Sequence, residues 1–263
     1  MYNFDVERPQ SIADAVQALS REDAQPLSGG QTLIPTLKAR LAAPSVLVSL
    51  GDVDEMKGVC MSDGGQLCIG GATTHATVAA EAAAHYPALA SLAARIGDPA
   101  VRNRGTIGGS VANNDPSACY PAGVLGSGAT VVTNAREIAA DDYFQGMFTT
   151  ALEEGEIITE VKFPIPQAAH YEKFLQPASR FPLVAAFVAR FSDGVRVAIT
   201  GASNDGVFRW SEAEAALASN FSASALDGLS VDSTDMISDL HGTGEYRAHL
   251  IGVMTKRAVA AIG

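Results

Sequence analysis

The sequence predicts a mixed α+β chain of three consecutive units, 1–57, 58–166 and 167–263. Three observations carry that reading. Apolar runs of strand length alternate with stretches of helical period through the first two units. Pro164 and Pro166 then interrupt the pattern as a linker would. Beyond them the order changes to two adjacent strands, 187–191 and 195–200, joined by Ser192-Asp193-Gly194, a good hairpin turn.

In the first unit, Phe4 and Val6 mark an opening strand. Ser11 is placed to cap a helix whose apolar face is Ile12, Val16 and Leu19, with Asp14 positioned for a capping box. Pro26-Leu27-Ser28-Gly29-Gly30 reads as a turn. A second helix carries Leu33, Leu37 and Leu41 at four-residue spacing, with Lys38 and Arg40 on the wet side. Val46, Leu47, Val48 and Leu50 make a short buried strand. The second unit opens on a strand over 67–69 and continues through an alanine-rich helix over 76–84 and another over 89–96. A long glycine-rich loop from Gly97 to Gly128 follows, and strands over 130–133 and 157–163 close the unit. Helices over 212–218 and 245–262 complete the third unit.

Asp and Glu number 29 against 18 Lys and Arg, a formal charge of −11. Such a chain gains nothing from counterion release on a nucleic acid, and no basic stripe offsets the deficit. The first ten residues lack the basic-then-apolar order of a signal peptide. The longest alanine-rich stretch, 76–96, is broken by Glu81, His85, Pro87 and Arg95, which excludes an ordinary membrane helix. A cytoplasmic protein is expected. Cys60, Cys68 and Cys119 are odd in number and lack CxxC spacing, so they are expected to be small buried residues. The histidines show no ligand spacing. No metal centre and no acid–base dyad is therefore expected in this chain.

Two segments carry chemistry: Ser28-Gly29-Gly30-Gln31-Thr32 and Gly105-Thr106-Ile107-Gly108-Gly109-Ser110. Each joins paired glycines to small hydroxyl residues. Glycine permits positive φ and close backbone approach, so successive N–H groups can converge on an anion. The first loop also opens onto the helix starting at Leu33, whose first N–H groups favour negative charge. Two such loops suit a pyrophosphate gripped from both sides, with Gly30 and Gly108 too near it for a side chain. Ordinary tight turns explain either loop alone equally well. Neither fits GxGxxG or GxxxxGK[ST], which disfavours a Rossmann site and a nucleotide triphosphatase. A GxSxG nucleophile elbow is also absent.

The motifs in order reach further. Pro26-Leu27-Ser28-Gly29-Gly30-Gln31-Thr32-Leu33-Ile34-Pro35, followed by Lys38-Ala39-Arg40, resembles the first flavin-diphosphate loop of the FAD subunits of molybdenum hydroxylases. This is the family of the carbon monoxide dehydrogenase medium subunit and of xanthine dehydrogenase-like FAD subunits. Asp98-Pro99, Val101-Arg102-Asn103, the second loop and Ala112-Asn113-Asn114-Asp115-Pro116 resemble its longest signature. Ile157-Ile158, Phe163-Pro164-Ile165-Pro166, Tyr171-Glu172-Lys173-Phe174, Ala178-Ser179-Arg180 and Tyr246-Arg247 follow in the family's order, so the resemblance spans nearly the whole chain.

The resemblance implies a two-part α/β FAD-binding region of the PCMH type followed by a small α+β C-terminal domain. It implies FAD held without a covalent bond, because Gln31 stands where flavin oxidases that tether FAD often have histidine. Residues Ser28, Gly29, Gly30, Gln31, Thr32 and Leu33, with Thr106, Ile107, Gly108, Gly109 and Ser110, would hold the pyrophosphate. Ile157 and Ile158 would lie near the isoalloxazine or ribityl chain, with strand core as the equal reading. Lys173 is the candidate positive charge near the flavin, against an ordinary reading as a solvated lysine. Several relatives place a ribityl-binding aspartate where this chain has Cys119. A thiol is a poor acceptor, so a charge-assisted bond of about 1.5–3 kcal/mol would be absent or replaced, with Asp115 as a compensating contact or the flavin held less tightly. Relatives with a four-iron cluster carry a cysteine-bearing insertion that this chain lacks, so flavin would be its only redox centre.

The molybdenum cofactor and 2Fe–2S clusters are implied on partners only: a large molybdenum-binding subunit and a small iron–sulfur subunit, in a dimer of heterotrimers. The chain would pass electrons from the iron–sulfur subunit through FAD to NAD⁺, a quinone or oxygen. A self-contained FAD oxidoreductase and a flavin-free scaffold subunit are the alternatives. Substrate would bind on another chain and is not legible here.

Overall fold

The structure is a computed structural model describing residues 1–263. Its opening elements are β1 (Asp5–Glu7), α1 (Ile12–Leu19), β2 (Ala24–Leu27), α2 (Leu33–Lys38) and β3 (Val46–Ser49). The strands form a parallel sheet in the order β1-β3-β2. Central β3 pairs on both sides, which accounts for the continuous apolar run Val46, Leu47 and Val48. Ser11 caps α1 as expected, its Oγ accepting the Asp14 amide at 3.1 Å, but the Asp14 carboxylate takes the Ser11 hydroxyl at 2.7 Å and not its backbone amide, so the reciprocal half of the capping box is not made. Two further expectations change here. Pro26 and Leu27 are strand, not turn, because β2 lies at the sheet edge, where a missing proline N–H costs no ladder bond. α2 ends at Lys38, because Arg40 takes a left-handed φ of 59° and leaves Leu41 79% exposed.

The second sheet is antiparallel. It is built from β4 (Val59–Met61), β5 (Leu67–Gly70), β6 (Thr130–Thr133), β7 (Glu137–Ala139) and β10 (Ile158–Phe163), in the order β4-β5-β10-β6-β7. β8 (Phe144–Gly146) and β9 (Thr149–Thr150) make a separate ribbon. β4 escaped the sequence reading because it is a three-residue edge strand with exposed side chains, and it places Cys60 in solvent, contrary to expectation. Leu67, Ile69, Val131, Val161 and Phe163 share the largest core with α3 (His75–Glu81) and α4 (Pro87–Ala94).

The stretch from Gly97 to Gly128, expected as loop, instead holds α5 (Pro99–Arg102), α6 (Ile107–Asn113) and α7 (Tyr120–Gly126), with α8 (Ala140–Tyr143) further on. Local caps start two of them: Asp98 Oδ1 accepts the Val101 amide at 2.9 Å, and Thr106 Oγ1 accepts the Gly109 amide at 3.2 Å. α7 is buried along its length, so packing overrides the low helix propensity of its glycines.

The third sheet is an antiparallel meander of β11 (Ala168–Leu175), β12 (Pro182–Arg190), β13 (Val195–Ser203) and β14 (Gly206–Arg209), followed by α9 (Ser211–Ser219) and α10 (Gly244–Ile262). β12 is buried on both faces. Ala185, Phe187 and Ala189 join the core that contains α7, and Val184, Ala186 and Val188 join the core that contains α10. One continuous core therefore runs from the second sheet into the third. The chain is α+β, as expected, and no helix is long and apolar enough to cross a membrane.

Candidate functional site

The first glycine segment leaves β2 at Leu27 and enters α2. Six consecutive backbone amides, from Ser28 to Leu33, donate to no group in the chain. An unpaired run of donors calls for water or a ligand acceptor. Gly30 has a φ of +68°, the left-handed conformation that favours glycine. A Cβ on Gly29 would lie 2.6 Å from Gly105 Cα, so the two glycine segments touch backbone to backbone. Ser28 Oγ and Thr106 Oγ1 bridge the same seam at 2.7 Å.

The second segment contributes differently from the first. Thr106 is the cap of α6, and the amides that follow are already engaged. Ile107 donates to Thr73 O at 3.1 Å, Gly108 to Gly71 O at 2.9 Å and Ser110 to Thr106 O at 3.0 Å. This segment therefore offers glycine surface and the Ser110 hydroxyl instead of a run of free amides. Gly108 is small for a reason the sequence did not suggest: a Cβ there would lie 2.6 Å from the Gly71 carbonyl oxygen, so α6 packs on the end of β5.

Both segments line one cavity of about 1030 Å³. Gln31, Thr32, Leu33, Gly109, Asp115, Ile157, Ile158 and Lys173 share that lining. Ile107 alone among the candidates does not; as the first residue of α6 it points into the core and is fully buried. Ile157 and Ile158 are both strand-region core and cavity wall. Gln31 folds back to donate to Gly29 O at 3.2 Å.

Lys173 is not a solvated lysine. On β11 it alternates inward with Tyr171 and is 4% exposed. Its Nζ donates to Arg95 O at 2.9 Å and to Cys119 Sγ at 3.4 Å. Burial pulls its pKa below the usual lysine value, and Cys119 opposes that shift. Cys119 is itself buried at the cavity wall. A strand over 168–175 with its alternation read off the sequence would have signalled the burial of Lys173.

His75 was missed as a site residue. It opens α3 on the cavity wall, 5% exposed, with its Nδ1 lacking any partner. Burial first, and the Arg102 guanidinium second, lower its pKa from 6.5 to about 4, so the ring is neutral at pH 7. The unfolded chain takes up this proton near 6.5 and the folded chain only near 4. Stability should therefore fall as pH drops through that window, by roughly 3 kcal/mol once pH 4 is reached. His75→Gln should flatten that slope in urea unfolding at pH 7 and pH 4.5. An unchanged slope would assign the acid loss to other groups.

Residues 2–166 match the family described as the FAD binding domain in molybdopterin dehydrogenase. The chain belongs to that family. Like this FAD-domain chain throughout its length is the carbon monoxide dehydrogenase medium chain of Afipia carboxidovorans, at 37% identity over 98% of this chain and 96% of that one. The nicotine 6-hydroxylase medium subunit of Paenarthrobacter nicotinovorans is 36% identical over 97% of this chain and 95% of its own. The solved structure of reconstituted CO dehydrogenase from Oligotropha carboxidovorans superposes with a TM-score of 0.90 and 34% identity, covering 99% of this chain and 97% of that one. The family assignment makes this chain an oxidoreductase subunit with an FAD-binding domain.

Proposed function

We propose that the chain is the FAD-binding electron-transfer subunit of a molybdenum-containing hydroxylase or dehydrogenase. Residues 1–57 and 58–166 hold the cofactor, and 167–263 form the C-terminal α+β domain. The observation that carries this reading is the run of six unpartnered amides from Ser28 to Leu33, locked against a second glycine segment at the wall of a large cavity.

That run fits a pyrophosphate, which is all acceptor. The Ser110 hydroxyl and the exposed surface of Gly109 lie on the same wall. Asp115 Oδ1 is taken by the Ser117 amide at 2.8 Å, which leaves Oδ2 for a ligand hydroxyl. Ile157 and Ile158 give an apolar wall for the isoalloxazine or ribityl chain, and Lys173 brings a cationic nitrogen to it. FAD supplies the one- and two-electron chemistry that would link an iron–sulfur subunit to an external acceptor. The chain's own residues bind and orient it. The partners are a large molybdenum-binding subunit and a small iron–sulfur subunit, in a dimer of heterotrimers in the cytoplasm. The medium-chain descriptions of the relatives support partner chains larger and smaller than this one.

Acid precipitation of the purified chain should release all its yellow colour into the supernatant. Flavin left in the pellet would mean covalent attachment, and a colourless chain would favour the scaffold reading. Native mass measurement of untagged complex should find a larger molybdenum-binding chain and a smaller iron–sulfur chain. An active chain isolated alone from its source would favour a self-contained oxidoreductase.

Cys119 offers a finer test. Its sulfur lies 3.4 Å from the Lys173 ammonium, so Cys119→Asp would introduce a carboxylate with a cation already beside it. FAD should tighten by up to ~10-fold, about 1.4 kcal/mol. Looser FAD together with a lower thermal midpoint would mark Cys119 as a packing residue.

A further inference from the structure

The outer face of the second sheet, away from the core, carries a cluster that the cofactor reading does not use. β4 and β5 pair so that Cys60 stands directly opposite Cys68. On the other side of β5, β10 sets Lys162 opposite Cys68 and Glu160 opposite Gly70. Alternate residues of a strand share a face. These side chains therefore project from one surface, while Leu67, Ile69, Val161 and Phe163 fill the core on the other.

Two sulfurs and a Glu160 carboxylate oxygen all lie within 4.8 Å of one another. A tetrahedral zinc site, with Zn–S bonds of about 2.3 Å, needs its ligand atoms roughly 3.5–4 Å apart, within reach of small side-chain rotations. We propose that Cys60, Cys68 and Glu160 form a site for a thiophilic divalent cation such as Zn²⁺, with water as the fourth ligand. Binding replaces two thiol protons with one metal ion and releases those protons to solvent.

The neighbouring Lys162 ammonium is already paired with Glu137 at 2.6 Å, so it opposes metal binding less than a free cation would. The ion would cross-link the short edge strand β4 to β5 and β10. The same strands lead to Gly71 and Ile158 at the cavity wall, so the cross-link stiffens that wall from behind. Neither member of the pair reads as a ligand from the sequence, because seven residues lie between them. A hairpin predicted at Asp63-Gly64-Gly65 would have paired them.

The test uses the full chain, freed of metal and kept reduced, titrated with Co²⁺ and then Zn²⁺. One Co²⁺ per chain should bind, with a thiolate charge-transfer band in the near ultraviolet and tetrahedral bands in the visible, and Zn²⁺ should displace it. Cys60→Ser alters an exposed side chain, so its fold is secure. It should diminish the thiolate band and weaken binding by about tenfold or more, about 1.4 kcal/mol. Glu160→Gln should weaken binding while keeping the thiolate band. Absence of any Co²⁺ or Zn²⁺ binding at micromolar concentration would overturn the proposal. So would binding unaltered in Cys60→Ser, or a Cys60–Cys68 disulfide that persists in freshly lysed cells.

Discussion

Gly29→Ala should yield a chain that folds but purifies almost without flavin. The added Cβ would meet Gly105 Cα at 2.6 Å and fall still closer to the Arg104 carbonyl oxygen. Both obstacles are backbone, so no flexible side chain can swing aside, and the two glycine segments must part. Parting them breaks the Ser28–Thr106 hydroxyl bridge and redirects the free amides from Ser28 to Leu33. Flavin occupancy should fall at least about tenfold, the equivalent of about 1.4 kcal/mol of binding. Circular dichroism should stay unchanged, because the clash lies at the seam between the two glycine segments and involves none of the apolar core residues. Gly51→Ala is the matched control, since its Cβ would meet only Ser49 Oγ, at 3.7 Å. Gly30→Ala should do less: left-handed strain costs about 1–2 kcal/mol, and the nearest obstacle is the flexible Ile34 side chain. Full flavin content in Gly29→Ala would mean that contact between the segments is irrelevant to binding.

Arg247→Leu should be the most destabilising single change among the charged residues. Arg247 is 1% exposed, and its Nη1 donates to Leu183 O at 2.9 Å and to Gly201 O at 2.7 Å, while Nη2 pairs with Asp239 at 2.8 Å. Leucine would leave two backbone carbonyls beneath α10 without this donor and remove the partner of a carboxylate. Removing the donor from two buried carbonyls costs roughly 2–4 kcal/mol, with the solvent-exposed Asp239 adding little, which should lower the thermal midpoint by on the order of 10 °C. Asp239 and His241 both line the cavity, so flavin binding should also weaken. A midpoint within a degree or two of wild type would show that α10 is held by its apolar face alone.

Elements were legible where local chemistry and tertiary packing agreed. α1 begins at its Ser11 cap, and β3, β12 and β13 follow runs of apolar residues. α5, α6 and α7 were not legible, because glycine and proline punctuation outweighed their helical period. What makes them helices is burial against strands remote in sequence. The cavity was largely legible, because both glycine segments, Asp115, Ile157, Ile158 and Lys173 reach it. The roles within it were less so. Hydrogen-bond pairing separates the free amides of Ser28 to Leu33 from the engaged amides after Thr106, and no spacing rule conveys that difference. Lys173 read as a solvated lysine, and Arg247 only as part of a family motif, because the carbonyls that hold them come from distant segments.

The burial of β12 between α7 and α10 sets how the chain comes apart. The family match stops at residue 166, but the apolar contacts do not. A fragment cut there would keep α7 with one greasy side uncovered and would stick to other copies of itself instead of persisting as a monomer. In the intact chain the amides of β12 can reach water only when layers on both of its sides have opened. Cofactor cavity and C-terminal meander are thereby obliged to melt together. A weakness introduced in either one would be felt as a loss of the whole chain from the cell.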